Sequence, residues 1–140
     1  MNEINKSFYI STDKLLLNID IIHSYLSSRS YWATGRTREI IEKSIRHSLC
    51  FGVYDTNHQQ IGFARVISDY AIFAWLLDVF ILENYQGNGL GKQLLTEIFN
   101  HPELQGLKRW GLATKDAHSL YEKFGFEILT NPALMMEKRT

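Results

Sequence analysis

A mixed α/β (α+β) domain is what this sequence predicts, from three observations. Segments with apolar residues at helical spacing alternate with short β-like runs. Three of those runs follow one another with only polar turns between them, as in a meander. One run, Ala71 to Leu82, is apolar on both faces, as a strand inside a doubly covered sheet has to be. With 140 residues, only Pro102 and Pro132 as prolines, no Ser/Gly-rich tract and no internal repeat, residues 1–140 read as a single domain without a linker.

The elements follow in order. Phe8-Tyr9-Ile10 is a short strand between polar flanks, and Thr12 or Asp13 can cap a helix that carries Leu15, Leu16, Ile19, Ile22 and Leu26 at three- and four-residue spacing. Ser27 to Arg36 breaks the period and is a loop. Thr37 caps a second short helix with Ile40, Ile41 and Ile45 on one side and basic residues on the other. The meander comes next: Cys50 to Tyr54, Ile61 to Ile67 and Ala71 to Leu82, with turns at Asp55–Gln59 and Ser68–Tyr70. Leu90 to Phe99 is helical and stops at Asn100-His101-Pro102; Leu107 to Ala113 is a strand, Asp116 to Phe124 a helix ended by Gly125, and Phe126 to Leu129 a strand. Leu134 to Glu137 can add one more. The expected order is therefore β-α-α-β-β-β-α-β-α-β(-β), six to seven strands with four helices.

Charge and composition exclude several classes. Lys and Arg number 15, Asp and Glu 15, so a general nucleic-acid binder, which needs a cationic surplus, is not expected. No stretch is apolar enough for a membrane helix, Met1 to Asn5 is too polar and acidic for a secretory signal, and a cytoplasmic setting is the expectation. The single cysteine, Cys50, excludes an internal disulfide and reads as a small core residue; the five histidines show no metal-ligand spacing, so no metal is expected. Trp75 and Trp110 read as packing residues.

The strongest local signal is Gln86-Gly87-Asn88-Gly89-Leu90-Gly91-Lys92, between the central strand and a helix. Glycines there permit positive φ and close approach of a ligand to the main chain, and successive N–H groups converge at a helix N-terminus, which suits a diphosphate; Lys92 can add a point charge. The spacing fits neither a P-loop nor a dinucleotide fingerprint, so a nucleotide-binding enzyme is a remote alternative, and a merely tight strand-to-helix connection is the plain one.

The segment Val79 to Gly91 closely resembles the acetyl-CoA-binding signature of the GNAT superfamily of N-acetyltransferases, Gln/Arg-x-x-Gly-x-Gly/Ala after an apolar strand, with Gln86, Gly89 and Gly91 in place. Ala117-His118-Ser119-Leu120-Tyr121-Glu122-Lys123-Phe124-Gly125-Phe126 resembles the family's later A-x-x-L-Y-x-x-x-G-F helix. Both motifs stand in the family's order, and the element order agrees over nearly the whole chain. The resemblance implies a mixed, mostly antiparallel sheet and an acetyl-CoA-dependent transfer to a primary amine of a small molecule or peptide, by direct attack in a ternary complex. A catalytically silent acetyl-CoA sensor on the same fold is the alternative. It further implies that Val79, Phe80 and Ile81 line the acetyl and pantetheine arm through their backbone, that Gln86, Gly87, Asn88, Gly89, Leu90, Gly91 and Lys92 hold the diphosphate, and that Ala117 and Tyr121 border the cofactor. Thr114 stands where many members carry an asparagine.

Such a transfer needs an oxyanion partner, a proton for the leaving thiolate and a route for the ammonium proton. Tyr121 matches the family's general acid. Asp78, a carboxylate inside an apolar strand, is the candidate base, with a structural aspartate satisfied by backbone or an arginine as its other reading. Tyr31, Trp32, Arg36, Asp69 and Tyr70 are expected at the acceptor pocket, where aromatics and an acid would receive a cationic amine. Arg65 would instead select a substrate bearing a carboxylate. For these residues core packing and snorkelling surface cations are the ordinary alternatives. A monomer or a homodimer is expected, with no nucleic-acid or membrane partner.

Overall fold

A computed structural model describes residues 7–140; the polar opening, Met1 to Asn5, lies outside the described residues. Strand β1 (Phe8–Ser11) leads through a single 3-10 turn to helix α1 (Ile19–Arg29) and helix α2 (Arg38–Arg46). The meander β2 (Leu49–Asp55), β3 (Gln60–Ser68) and β4 (Phe73–Ile81) follows, then α3 (Leu90–Asn100), β5 (Arg109–Gly111) and α4 (His118–Glu122). The sheet runs β1-β2-β3-β4-β5; its first four strands are antiparallel, and β5 lies parallel to β4, which the intervening α3 crossover makes possible.

Both faces of the sheet are covered. On one, Ile22 and Leu26 of α1 and Ile41 and Ile45 of α2 pack on Phe63 and Phe80, with Tyr25 stacked on Phe80 at 4.1 Å and Cys50 buried among them. On the other, Leu90, Leu94, Leu95 and Ile98 of α3 pack on Phe51, Ile61, Val66 and Leu76. Double cover is why β4 lacks the polar alternation of a half-wet strand.

Two expectations need correction. The first helix does not start at Thr12 or Asp13: Asp13 caps only the 3-10 turn Lys14–Leu16, whose Leu15 is 93% exposed, and Asn18 then caps α1 by accepting the Ile21 N–H. Two cap residues five positions apart gave the chain two starts, and only the second has an apolar face to bury. The sheet has five strands among the described residues rather than six to seven. Residues 126–129 and 134–137 are irregular; Phe126 turns in against Phe99 and Tyr121, whereas Ile128, Leu134 and Met136 lie exposed. β5 is three residues long, a short template for further pairing. No described helix is long and apolar enough to cross a membrane.

Candidate active site

The site begins as a fault in the ladder. Leu77 pairs with Arg65 and Phe80 with Phe63, so Asp78 and Val79 together face Ala64, a bulge in β4. Asp78 takes the left-handed conformation (φ 54°) that such a position requires and that aspartate tolerates better than most residues. The extra residue switches sides: Ala74 and Leu76 face α3, whereas Phe80 faces α1.

On its other edge β4 pairs with β5 only from Phe73↔Arg109 to Trp75↔Gly111. Beyond Trp75 the chains part, and the edge of β4 that no longer meets β5 borders a cavity of about 360 Å³ walled by Leu77, Val79, Thr114, Ala117 and Tyr121. An unpaired strand edge is a template for any extended ligand arm carrying amide groups. Tyr121, held in α4 and 9% exposed, also borders a second cavity of about 310 Å³ with Trp75, Trp110 and Met135, so its ring stands between the two. Burial, with the Tyr31 phenol as a lesser contribution, pushes the Tyr121 phenol up to about 12. It is therefore protonated at neutral pH.

The glycine turn supplies a cradle. Gly87 and Gly89 have φ of 83° and 78°, and a Cβ built at Gly87, Gly89 or Gly91 meets nothing within 4 Å, so the main chain lies open. No side chain caps α3; its first helical bond is Gln93 N–H to Gly89 O, leaving the N–H groups of Leu90, Gly91 and Lys92 directed out of the helix start. Gln86 and Asn88 shape the turn with their side chains: Gln86 Nε2 donates to Ile81 O (2.8 Å), and Asn88 Nδ2 to the carbonyls of Tyr85 and Gln86. Lys92 is exposed on the first turn of α3. Backbone donors, flexible lysine and open approach fit a diphosphate.

Behind the cavity, on the α1–α2 side, lies a buried ionic cluster. Arg36 Nη1 donates to both oxygens of Asp78 (3.1 and 2.9 Å), Arg65 Nε to Oδ2 (2.9 Å) and Trp32 Nε1 to Oδ1 (2.9 Å). Arg65 Nη1 also reaches Ser48 Oγ. The side chains of Asp78, Arg65 and Arg36 are 2%, 8% and 23% exposed. These contacts correct the expectation of a base at Asp78, whose acceptor sites are filled by three donors, two of them permanently cationic. They also correct Arg65 as a substrate-carboxylate selector, because its guanidinium is buried and engaged. Of the predicted acceptor residues, Tyr31, Trp32 and Arg36 line the cavity. Asp69 and Tyr70 do not: the exposed Asp69 accepts N–H bonds from Ala71, Ile72 and Phe73, which hold its carboxyl below the usual range and build the β3–β4 turn, and Tyr70 sits there at φ 62°. Both expectations fail because that turn closes at the opposite end of the β4–β5 pairing from the opening.

The Tyr31 hydroxyl accepts the Lys115 backbone N–H (2.7 Å), and Lys115 Nζ lies 5.5 Å from its ring centroid, stitching the loop after α1 to the loop before α4. Thr114 Oγ1 accepts the Ala117 N–H at the start of α4, which leaves its hydroxyl a proton and one lone pair to offer a ligand. Ser48 and Lys115 carry no motif and were not legible as site residues.

A family model for the acetyltransferase (GNAT) domain matches residues 46–128, from the end of α2 past α4. An acetyltransferase-family protein of Gibberella zeae is 34% identical over 137 residues, 83% of this chain and 76% of its own. The chain belongs to the GNAT acetyltransferases. A solved GNAT protein from Xanthomonas campestris is 45% identical, with a TM-score of 0.92 over 95% of this chain and 93% of that one. A GNAT acetyltransferase from Elizabethkingia anophelis, solved with acetyl-CoA bound, shares the fold at 19% identity and a TM-score of 0.65, over 88% of this chain and 78% of that one. In this chain the split strand and Tyr121 border one cavity.

Proposed function

We propose that this GNAT chain transfers an acetyl group from acetyl-CoA to a primary amine, by direct attack while both are bound. The observation that carries the reading is the opening between β4 and α4 with a protonated buried phenol on its wall, beside which the chain also carries a glycine turn leading into an uncapped α3.

Acetyl-CoA, when bound, supplies an activated thioester. The N–H groups of Leu90, Gly91 and Lys92 hold its diphosphate, with the Lys92 ammonium free to swing onto it. The open edge of β4 from Val79 to Ile81 receives the pantetheine arm and directs a backbone N–H at the carbonyl oxygen, which accumulates negative charge as the amine adds. Thr114 and Ala117 border the arm from the other wall. The acceptor ammonium first gives one proton to water, so that the neutral amine adds; Tyr121 gives its proton to the departing sulfur as the C–S bond breaks and regains one from the nitrogen that has added. Asp78 takes no proton in this scheme; it holds Arg36, Arg65 and Trp32.

The test is release of free thiol from acetyl-CoA over a panel of amines, with acetyl-CoA binding followed by melting temperature. Tyr121→Phe is expected to lower kcat by about 100-fold or more while the acetyl-CoA-induced rise in Tm persists. Unchanged turnover in that variant removes the acid role from Tyr121, and a thermal shift without thiol release from any amine makes the chain a sensor.

A further inference from the structure

Two observations settle what kind of acceptor the cavity suits. The first is that its buried acid is already neutralised: Asp78 is held by two guanidinium groups, so the cluster Asp78, Arg36 and Arg65 carries a net +1. The second is how Arg36 is used. Among the described residues its side-chain bonds all run through Nη1, to the two Asp78 oxygens, while Arg36 lines the cavity with a side chain 23% exposed. Its Nε–H and Nη2–H groups form a second edge, and a guanidinium edge matches the two oxygens of a carboxylate or phosphate.

The neighbours agree. The Trp32 indole N–H is bound to Asp78, which fixes the ring beside Arg36, and the Tyr31 ring meets Trp32 edge-on at 5.1 Å. The other ionic groups at the cavity are Arg139, paired with Glu137, and Asp116 on the loop before α4, with Lys115 beside Tyr31. A cationic amine such as a polyamine would bring its remaining charges against Arg36 with no unneutralised acid on the α1–α2 wall to receive them. An amine that also carries an oxyanion puts that group on Arg36, and its ammonium falls toward the Asp116 side, where Tyr121 and α4 stand.

We propose that the acceptor is a small amine bearing a carboxylate or phosphate, docked through that oxyanion on the outer edge of Arg36. This rests on the acetyl-transfer reading above and adds a substrate class and a specificity-determining residue to it.

The experiment uses matched pairs on the full chain: α- and ω-amino acids against their carboxamides, and phosphoethanolamine against ethanolamine, with spermidine as the polycation. Thiol release gives kcat and KM, and titration calorimetry of the same compounds gives binding independent of turnover. The expected result is that at least one oxyanion-bearing amine exceeds its neutral partner by 10-fold or more in kcat/KM, mainly through KM. In Arg36→Gln that advantage falls below 3-fold, while Arg36→Lys keeps part of it. Whichever pair shows the preference tells carboxylate from phosphate. Equal or better performance of the neutral partners or of spermidine overturns the proposal. Should no amine release thiol, the acetyl-transfer reading fails and calorimetry decides this one: binding of an oxyanion-bearing amine that Arg36→Gln abolishes upholds it, and no preference or no binding overturns it. Should Arg36→Gln not fold, judged by the loss of a cooperative melt, the wild-type pairs decide alone.

Discussion

Replacing Asp78 by asparagine keeps the size of the side chain and its tolerance for the left-handed backbone at φ 54°, removes the charge, and puts an NH2 donor in place of one acceptor oxygen. The side chain it replaces is 2% exposed and receives bonds from Arg36, Arg65 and Trp32. Breaking a buried ion pair by removing one partner costs about 3–5 kcal/mol, because the other charge stays buried without compensation. Here Arg65, 8% exposed, is the charge left behind, and Arg36 can relax toward solvent, which argues for the lower half of that range. For 140 residues an unfolding entropy of about 0.3 kcal/mol/K converts that lower half, about 3–4 kcal/mol, to a fall in Tm of about 10–13 °C. Calorimetric or circular-dichroism melts at neutral pH measure it, beside thiol release on the same preparation. A fall under about 3 °C would refute the anchoring argument. A large loss of kcat at unchanged Tm would return Asp78 to the role of base.

The other predictions concern the turn and the core. Gly89→Ala forces a Cβ onto φ 78° and is expected to cost about 1 kcal/mol in stability and at least 10-fold in acetyl-CoA affinity. Gly91→Ala, inside α3 with nothing of the protein within 4 Å, is expected to raise the stability of the ligand-free chain by about 0.5–1 kcal/mol, read by melts without ligand; melts with ligand read the affinity of Gly89→Ala. Burial pushes the Cys50 thiol from 9.0 up to about 11, so the unfolded chain loses that proton first. The stability this difference contributes is complete below pH 9 and is lost as pH rises through 11. Relative to Cys50→Ala, wild type is therefore expected to lose about 2 kcal/mol between pH 8 and 11 in urea titrations, and parallel pH curves would contradict the assignment.

Much of the fold was legible because its signals are local. The cap at Thr37, the period of Ile22 and Leu26, and the two-faced apolar run of β4 each depend on neighbours within a few positions. The glycine turn and Tyr121 were legible for the same reason. The carboxyl-terminal strands were misread because apolar composition at Phe126 to Leu129 cannot report whether a partner edge is long enough to pair with. The function of Asp78 was legible only as a choice between two readings, since the choice depends on Arg36 and Arg65, 42 and 13 positions away, and on a register shift that no single strand displays. Asp69 misled because a turn-building aspartate and a substrate-facing one look alike until the turn is placed.

From Ala74 to Ile81, β4 uses eight positions where β3 uses seven, from Gly62 to Ser68. Deleting one residue there would mend the ladder with Phe80 still opposite Phe63, and would remove the bulge that holds Asp78 against Arg36 and Arg65. Length in this strand is thus under tighter constraint than residue identity. An insertion or deletion of a single codon would undo the bulge and, with it, the cluster that Asp78 holds together.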